Sequence, residues 1–132
     1  MMDQQTTSHQ SKLKVLYIDD NPLDLQIILN QLSDQFEFTF ANNGREALDV
    51  LEEHPDMDIV LMDIMMPEMD GYEAMGRIRE QARFSKLPML ALTAKAMKDD
   101  RAKCIEAGAN DYCSKPIDMA KLTSLLRVWL HK

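Results

Sequence analysis

Five polar residues stand at or just past the ends of short apolar runs. Asp19 and Asp20 follow Lys14–Ile18 (KVLYI), Asp63 follows Ile59–Met62, Thr93 follows Met89–Leu92, and Lys115 lies just beyond Asn110–Cys113. An apolar run that ends in an acid reads as a buried parallel strand delivering a reactive group to the edge of a sheet. Three carboxylates in one crevice repel each other and favour a hard divalent cation. Magnesium prefers oxygen ligands and keeps several waters. Asp20 and Asp63 are candidate direct ligands for Mg2+, with Mn2+ as an alternative. Asp19 is a candidate ligand through water, and the backbone carbonyl of Met65 can add an oxygen as the chain turns through Pro67 and Gly71. Asp63 is also the candidate nucleophile, because a carboxylate can take a phosphoryl group to give an acyl phosphate. Lys115 and a metal would neutralise charge on the phosphoryl oxygens, and the Thr93 hydroxyl could donate to one of them.

The elements that must position these groups alternate along the chain. Strands are expected at Lys14–Ile18, Phe36–Phe40 (FEFTF), Ile59–Met62, Met89–Leu92 and Asn110–Cys113. FEFTF alternates at period two, which suits an edge strand with one covered face; Ile59–Met62 is apolar throughout, as an interior parallel strand should be. Helices are expected from Asn21-Pro22 to Ser33, over 44–53, from Gly71 to Gln81, from Met97 to Ala107 and from Asp118 to Leu130. Asn21 and Asp118 are candidate caps, and Gly108 sits where a helix commonly ends in a left-handed residue. Five strands alternating with five helices predict an α/β fold: a doubly wound five-stranded parallel sheet with helices on both faces. The order 2-1-3-4-5 would gather the C-terminal ends of strands one, three, four and five around one crevice.

Composition narrows the partners. The 132 residues suit one domain, expected over 13–131 behind a polar, disordered leader at 1–12. Net charge is −7 and the pI about 4.9, which disfavours nucleic acid and anionic membranes. No apolar run approaches the roughly 20 residues of a membrane span, so no direct membrane contact is expected. Cys104 and Cys113 are the only cysteines, and they read as reduced thiols in a cytoplasmic setting. No GxxxxGK[ST] phosphate cradle is present. His9, His54 and His131 share no site with the acids, so this chain does not read as a phosphohistidine donor. Most of the eleven methionines read as core filling, with Met62, Met65, Met66 and Met69 near the reactive loop.

Together Asp19-Asp20, LMDIMMPEMDG (61–71), ALTA (91–94) and GANDYCSKPID (108–118) resemble the receiver domain of two-component response regulators, over roughly residues 13–130. The stretch from Leu92 to Asp118 is similar to receivers attached to hybrid sensor histidine kinases. The resemblance implies a CheY-like fold and Mg2+-dependent phosphorylation of Asp63 by a histidine kinase or a histidine phosphotransfer domain. It implies that Thr93 is the switch hydroxyl, Lys115 the phosphoryl-contacting lysine and Tyr112 the switch aromatic. Such a domain performs chemistry on itself and has no independent turnover substrate. Met65 and Lys95 occupy two positions that tune acyl-phosphate hydrolysis in the family, and neither can guide an attacking water. The short leader and the ending after the last helix suit a domain of a cytoplasmic hybrid-kinase part, and equally a stand-alone receiver.

Two surfaces are candidate contacts. On the first helix, Leu25, Ile28, Leu29 and Leu32 can face the sheet, while Leu23 and Ile27 lie together on another flank. That flank could dock on a donor histidine's helices. The face of the fourth helix, fifth strand and last helix carries Lys98, Asp99, Arg101, Lys103, Asp118, Lys121 and Arg127, a mixed-charge candidate for a weak dimer. Two other functions compete. A nonphosphorylated receiver-like interaction module would keep the fold without the complete Asp19, Asp20, Asp63, Thr93 and Lys115 set. A dehalogenase-like phosphatase would need a second catalytic Asp where Met65 stands.

Overall fold

The computed structural model describes residues 12–19, 22–64, 66, 69–94, 98–115 and 117–130. Five strands form one parallel sheet: β1 (Leu13–Ile18), β2 (Phe36–Ala41), β3 (Ile59–Asp63), β4 (Met89–Thr93) and β5 (Asp111–Ser114), in the order β2-β1-β3-β4-β5. The helices are α1 (Pro22–Leu32), α2 (Gly44–Glu53), α3 (Gly71–Arg79), α4 (Lys98–Ala107) and α5 (Met119–Leu130), with a 3-10 turn at Ala82–Phe84. The sheet order is the expected one, and the edge strands are β2 and β5.

Period-two alternation sends successive strand residues to opposite faces, and both faces are dry. Leu16, Ile18, Val60, Met62, Met89 and Ala91 pack under α2, α3 and α4. Val15, Tyr17, Ile59, Leu61, Leu90 and Leu92 pack under α1 and α5. The central strands β3 and β4 are buried at every position, which is why their sequences are apolar without alternation. The helices bury stripes at helical spacing: Ala47 and Leu51 on α2, Ala74, Met75 and Ile78 on α3, and Leu122, Leu126 and Leu130 on α5. Ile28 and Leu32 of α1 are buried as expected. Leu25 is outside the described side chains.

The boundaries shift slightly. β3 and β4 each extend one residue, taking Asp63 and Thr93 into the ladder. β5 begins at Asp111 rather than Asn110, whose side chain accepts from Met89 N at 2.9 Å. α3 stops at Arg79 rather than Gln81, where the chain folds into the 3-10 turn. Asp118 caps α5, accepting from Ala120 N at 3.0 Å and Lys121 N at 3.3 Å. The Asn21 cap lies outside the described residues, as does the leader except Lys12, whose Nζ donates to Ser33 O at 3.2 Å. Met62, Met66 and Met69 belong to the core cluster under α2–α4. Cys104 and Cys113 are both buried outside any disulfide, one in each core cluster.

Candidate functional site

Parallel strands in register end at one edge, and the polar groups stand there because the apolar runs stop. β1 pairs with β3 (Ile18↔Met62), β3 with β4 (Asp63↔Leu92) and β4 with β5 (Thr93↔Ser114). Backbone hydrogen bonds carry the ladder one step past the strands. Asp19 N donates to Ala41 O (3.2 Å), Ile64 N to Leu92 O (3.0 Å) and Lys115 N to Thr93 O (2.7 Å). These bonds fix where the side chains of Asp19, Asp63 and Lys115 begin.

Those side chains converge. Asp19, Asp63 and Thr93 are 1%, 3% and 2% exposed. The Lys115 ammonium donates to Asp19 Oδ2 at 2.9 Å and stands 3.4 Å from Asp63 Oδ2. The Tyr17 hydroxyl donates to the same Asp19 oxygen at 2.8 Å. Charges this deep require partners, and one ammonium serves two carboxylates. The described part of the site thus holds two formal negative charges against one positive. Hard carboxylate oxygens with an excess of negative charge fit a divalent cation of the Mg2+ type. No group of three or more His, Cys, Asp and Glu forms a metal cage among the described residues; Asp20 and Met65, two of the candidate ligands, lie outside them.

A glycine fixes the approach to Asp63. Gly71 N donates to Ile64 O at 3.0 Å. A Cβ there would lie 2.5 Å from the Asp63 carbonyl oxygen and 2.8 Å from Ile64 Cα. Both are backbone atoms, so the α3 start can close against the end of β3 only without a side chain. Asp70 then caps α3, accepting from Glu73 N at 2.9 Å.

The structure thus gathers Asp19, Asp63, Thr93 and Lys115. Lys95, like Asp20 and Met65, is outside the described residues. Tyr112 is half-buried, packed against the α2–α4 core, with the Lys121 ammonium 5.6 Å from its ring centre. Leu23 and Ile27 are 72% and 46% exposed on α1, beside the buried Ile28. Trp129 is a packing residue whose indole donates to Asp111 Oδ2 at 3.3 Å. Two site residues escaped the sequence reading. Tyr17 could have been found, since it stands two residues before Asp19 in an extended segment and so on the same side. Gly71 was read only as a turn, because the close approach to Asp63 is tertiary.

At the opposite end of the sheet Lys14 pairs with Asp56, which raises the lysine pKa and lowers the aspartate's through their hydrogen bond and mutual attraction. Burial pushes the Cys113 thiol up.

Known proteins resemble this chain. The response regulator receiver domain family matches residues 15–127. An uncharacterized 14.6 kDa protein from the sodA1 3' region of Leptolyngbya boryana is 39% identical over 119 residues, 89% of each chain. Sensor histidine kinase RcsC of Salmonella typhi is 33% identical over 128 residues; the match covers 96% of this chain and 13% of RcsC. The receiver domain of sensor histidine kinase PA1611 from Pseudomonas aeruginosa, solved with a magnesium ion coordinated in its active site cleft, is 35% identical with a TM-score of 0.81, covering 92% of this chain and 99% of that one. A chain in the co-crystal of the Saccharomyces cerevisiae histidine phosphotransfer protein Ypd1 with the receiver domain of Ssk1 gives a TM-score of 0.81 at 28% identity, covering 90% of this chain and 89% of that one. With its sheet order, its buried acid pair and a family match over nearly the whole chain, this protein belongs to the response regulator receiver family: it is a CheY-like phosphoacceptor domain of two-component signalling, related to the receivers of sensor histidine kinases.

Proposed function

We propose that Asp63 is the phosphoacceptor and that its donor is a phosphohistidine on a histidine kinase or a histidine phosphotransfer protein. The observation that carries this reading is the single Lys115 ammonium within reach of both buried carboxylates, Asp19 and Asp63. In the transfer an Asp63 carboxylate oxygen forms a bond to phosphorus as the donor's P–N bond breaks. The imidazole leaves with a proton from solvent. Lys115 shifts from holding the acid pair to holding the added phosphoryl oxygens, and the Thr93 hydroxyl donates to another. Asp63, Asp20 and the Met65 carbonyl would hold Mg2+, with Asp19 acting through water. The cation supplies charge neutralisation on the phosphoryl group. Rearrangement at Thr93 and Tyr112 then shifts the balance between two packings. Leu23 and Ile27 would receive the donor. The magnesium bound by PA1611 and the phosphotransfer partner crystallised with Ssk1 support the same assignment. Met65 and Lys95 give no guide for an attacking water, so the acyl phosphate should be long-lived.

The test is intact mass after incubation with acetyl phosphate and Mg2+, beside Asp63→Asn and a metal-free control. One phosphoryl adduct that needs both Asp63 and Mg2+ is expected. An adduct on Asp63→Asn would move the acceptor elsewhere, and none on any form, with no response to beryllofluoride, would favour the nonphosphorylated interaction module.

A further inference from the structure

Helix α4 is attached differently from the other helices. Of its described side chains, from Arg101 to Ala107, only Cys104 is buried. α2, α3 and α5 each bury a full stripe. An element with so little buried apolar surface opens locally at low cost. Among the described residues, a cluster of bonds ties down the C-terminal end of α4. Gly108, at φ 126°, turns the chain out of the helix, and Ala109 N donates back to Cys104 O at 2.9 Å. Arg79, the last residue of α3, closes on this turn. Its Nε and Nη2 donate to Gly108 O at 3.0 and 2.8 Å. Nη1 donates to Phe84 O at 2.7 Å and Nη2 to Asn110 Oδ1 at 2.9 Å. Asn110 is in turn bonded to both backbone groups of Met89, at the start of β4.

The four bonds end on three acceptors, each a neutral oxygen. A guanidinium at the carbonyl end of a helix is also favoured by the helix dipole. Burial lowers the Arg79 pKa from its ordinary value, yet an arginine stays charged. One planar fork thus joins the end of α3, the 3-10 turn, the end of α4 and the start of β5. The fit is tight, since a Cβ on Gly108 would lie 2.8 Å from Arg79 Cγ.

We propose that Arg79 is a positioning residue, the fixed pivot of α4: it holds Gly108–Asn110 in place so that a rearrangement begun at Thr93 swings the first turns of α4 and leaves its C-terminal end and the start of β5 unmoved. The switching part rests on the phosphoacceptor reading above; the resting anchor does not. The pivot sits between the two residues assigned to the switch, Thr93 before α4 and Tyr112 after it. It converts a shift at one end of the helix into rotation rather than translation.

Hydrogen–deuterium exchange on the full chain tests both parts. In the resting protein Arg79→Met should speed exchange across Arg101–Ala109 at least tenfold more than across β1. Arg77→Met, which removes an exposed ion pair with Glu73 on the same helix, should leave that ratio unchanged. Arg79→Lys keeps the charge but not the fork and should fall between wild type and Arg79→Met; it also serves if the methionine variant does not fold. Equal acceleration of α4 and β1 would reduce Arg79 to general stability and overturn the proposal, as would no acceleration. With beryllofluoride and Mg2+, wild type should change exchange at the first turns of α4 and not at Gly108–Asn110, and Arg79→Lys should extend the change to both. A change at Gly108–Asn110 in wild type would overturn the pivot. Absence of any adduct at Asp63 would instead count against the phosphoacceptor reading, with the resting comparison still deciding the anchor.

Discussion

Asp63 meets two demands that oppose each other. As an acceptor it must be ionised, and as a buried group it must be compensated. Asp19 takes the nearer contact with Lys115, at 2.9 Å against 3.4 Å, so Asp63 has the weaker share of one ammonium. Among the described side chains, Asp63→Asn removes one of two like charges and leaves the Lys115–Asp19 pair. It should therefore stabilise the fold while abolishing acceptance, by about 1 kcal/mol, or roughly 3–5 °C in Tm at this chain length. Thermal unfolding without Mg2+ measures it, and an equal or lower Tm would mean that Asp63 is already well compensated. Adding Mg2+ should raise the Tm of wild type more than that of Asp63→Asn. Cys113 makes a second prediction at this scale. Burial raises its pKa, so the folded state keeps the thiol protonated while the unfolded chain ionises near pH 8.5. The stability from this preference is complete below that pH and is lost as pH rises from there through the folded value. The urea midpoint should fall more steeply between pH 8 and 10 in wild type than in Cys113→Val.

At the scale of elements, the site exists because strands end where they do, and strand ends are set by apolar pattern. That is why Asp63 and Thr93 could be placed from IVLM and MLAL alone. Periodicity likewise placed Ile28 and Leu32 on the inner face of α1. It could not find what depends on contact between distant segments. The Lys115–Asp19 preference, the closeness of Gly71 to the Asp63 carbonyl and the Arg79 fork each join parts of the chain that no local pattern relates. α4 was recognisable as a helix but not as a weakly buried one, because its pattern does not reveal which neighbours cover it. Gly71 supplies the prediction. Gly71→Ala puts a methyl 2.5 Å from a backbone oxygen, so the start of α3 must move away from β3. The expected cost is about 1–3 kcal/mol, as for overpacking in a well-packed interior. Adduct formation at Asp63 should slow with it. Leu126→Ala offers the contrast: it opens a cavity under α5 and should cost about 2–5 kcal/mol with little effect on the acyl-phosphate yield of the folded fraction. Urea unfolding and intact mass on both variants separate positioning of the site from support of the fold.

For the whole molecule, the question is how a buried carboxylate meets a histidine on another protein. The polar crevice lies at one edge of the sheet, and the donor's helices must lie across it. Leu23, in the first turn of α1 just after the Asp19-Asp20 pair, and Ile27, one turn on, project two apolar side chains outward from a helix whose inner face is already satisfied by Ile28 and Leu32. A small exposed apolar flank next to a reactive site has the dimensions of a transient interface rather than a permanent one. Its contribution can be isolated, because a small acyl phosphate reaches the same carboxylate without needing the flank. Leu23→Glu with Ile27→Glu should leave acetyl-phosphate labelling of Asp63 within about twofold of wild type. The same pair should cut the rate of transfer from a phosphorylated histidine phosphotransfer domain by roughly tenfold or more, the loss of about 1.4 kcal/mol of docking energy. Rapid-quench transfer assays at subsaturating donor read this as a fall in second-order rate. Equal loss with both donors would mean that the glutamates disturb the acid site itself. No loss with the protein donor would place docking on another face, with the mixed-charge surface of Arg101, Lys103, Asp118, Lys121 and Arg127 the next to alter.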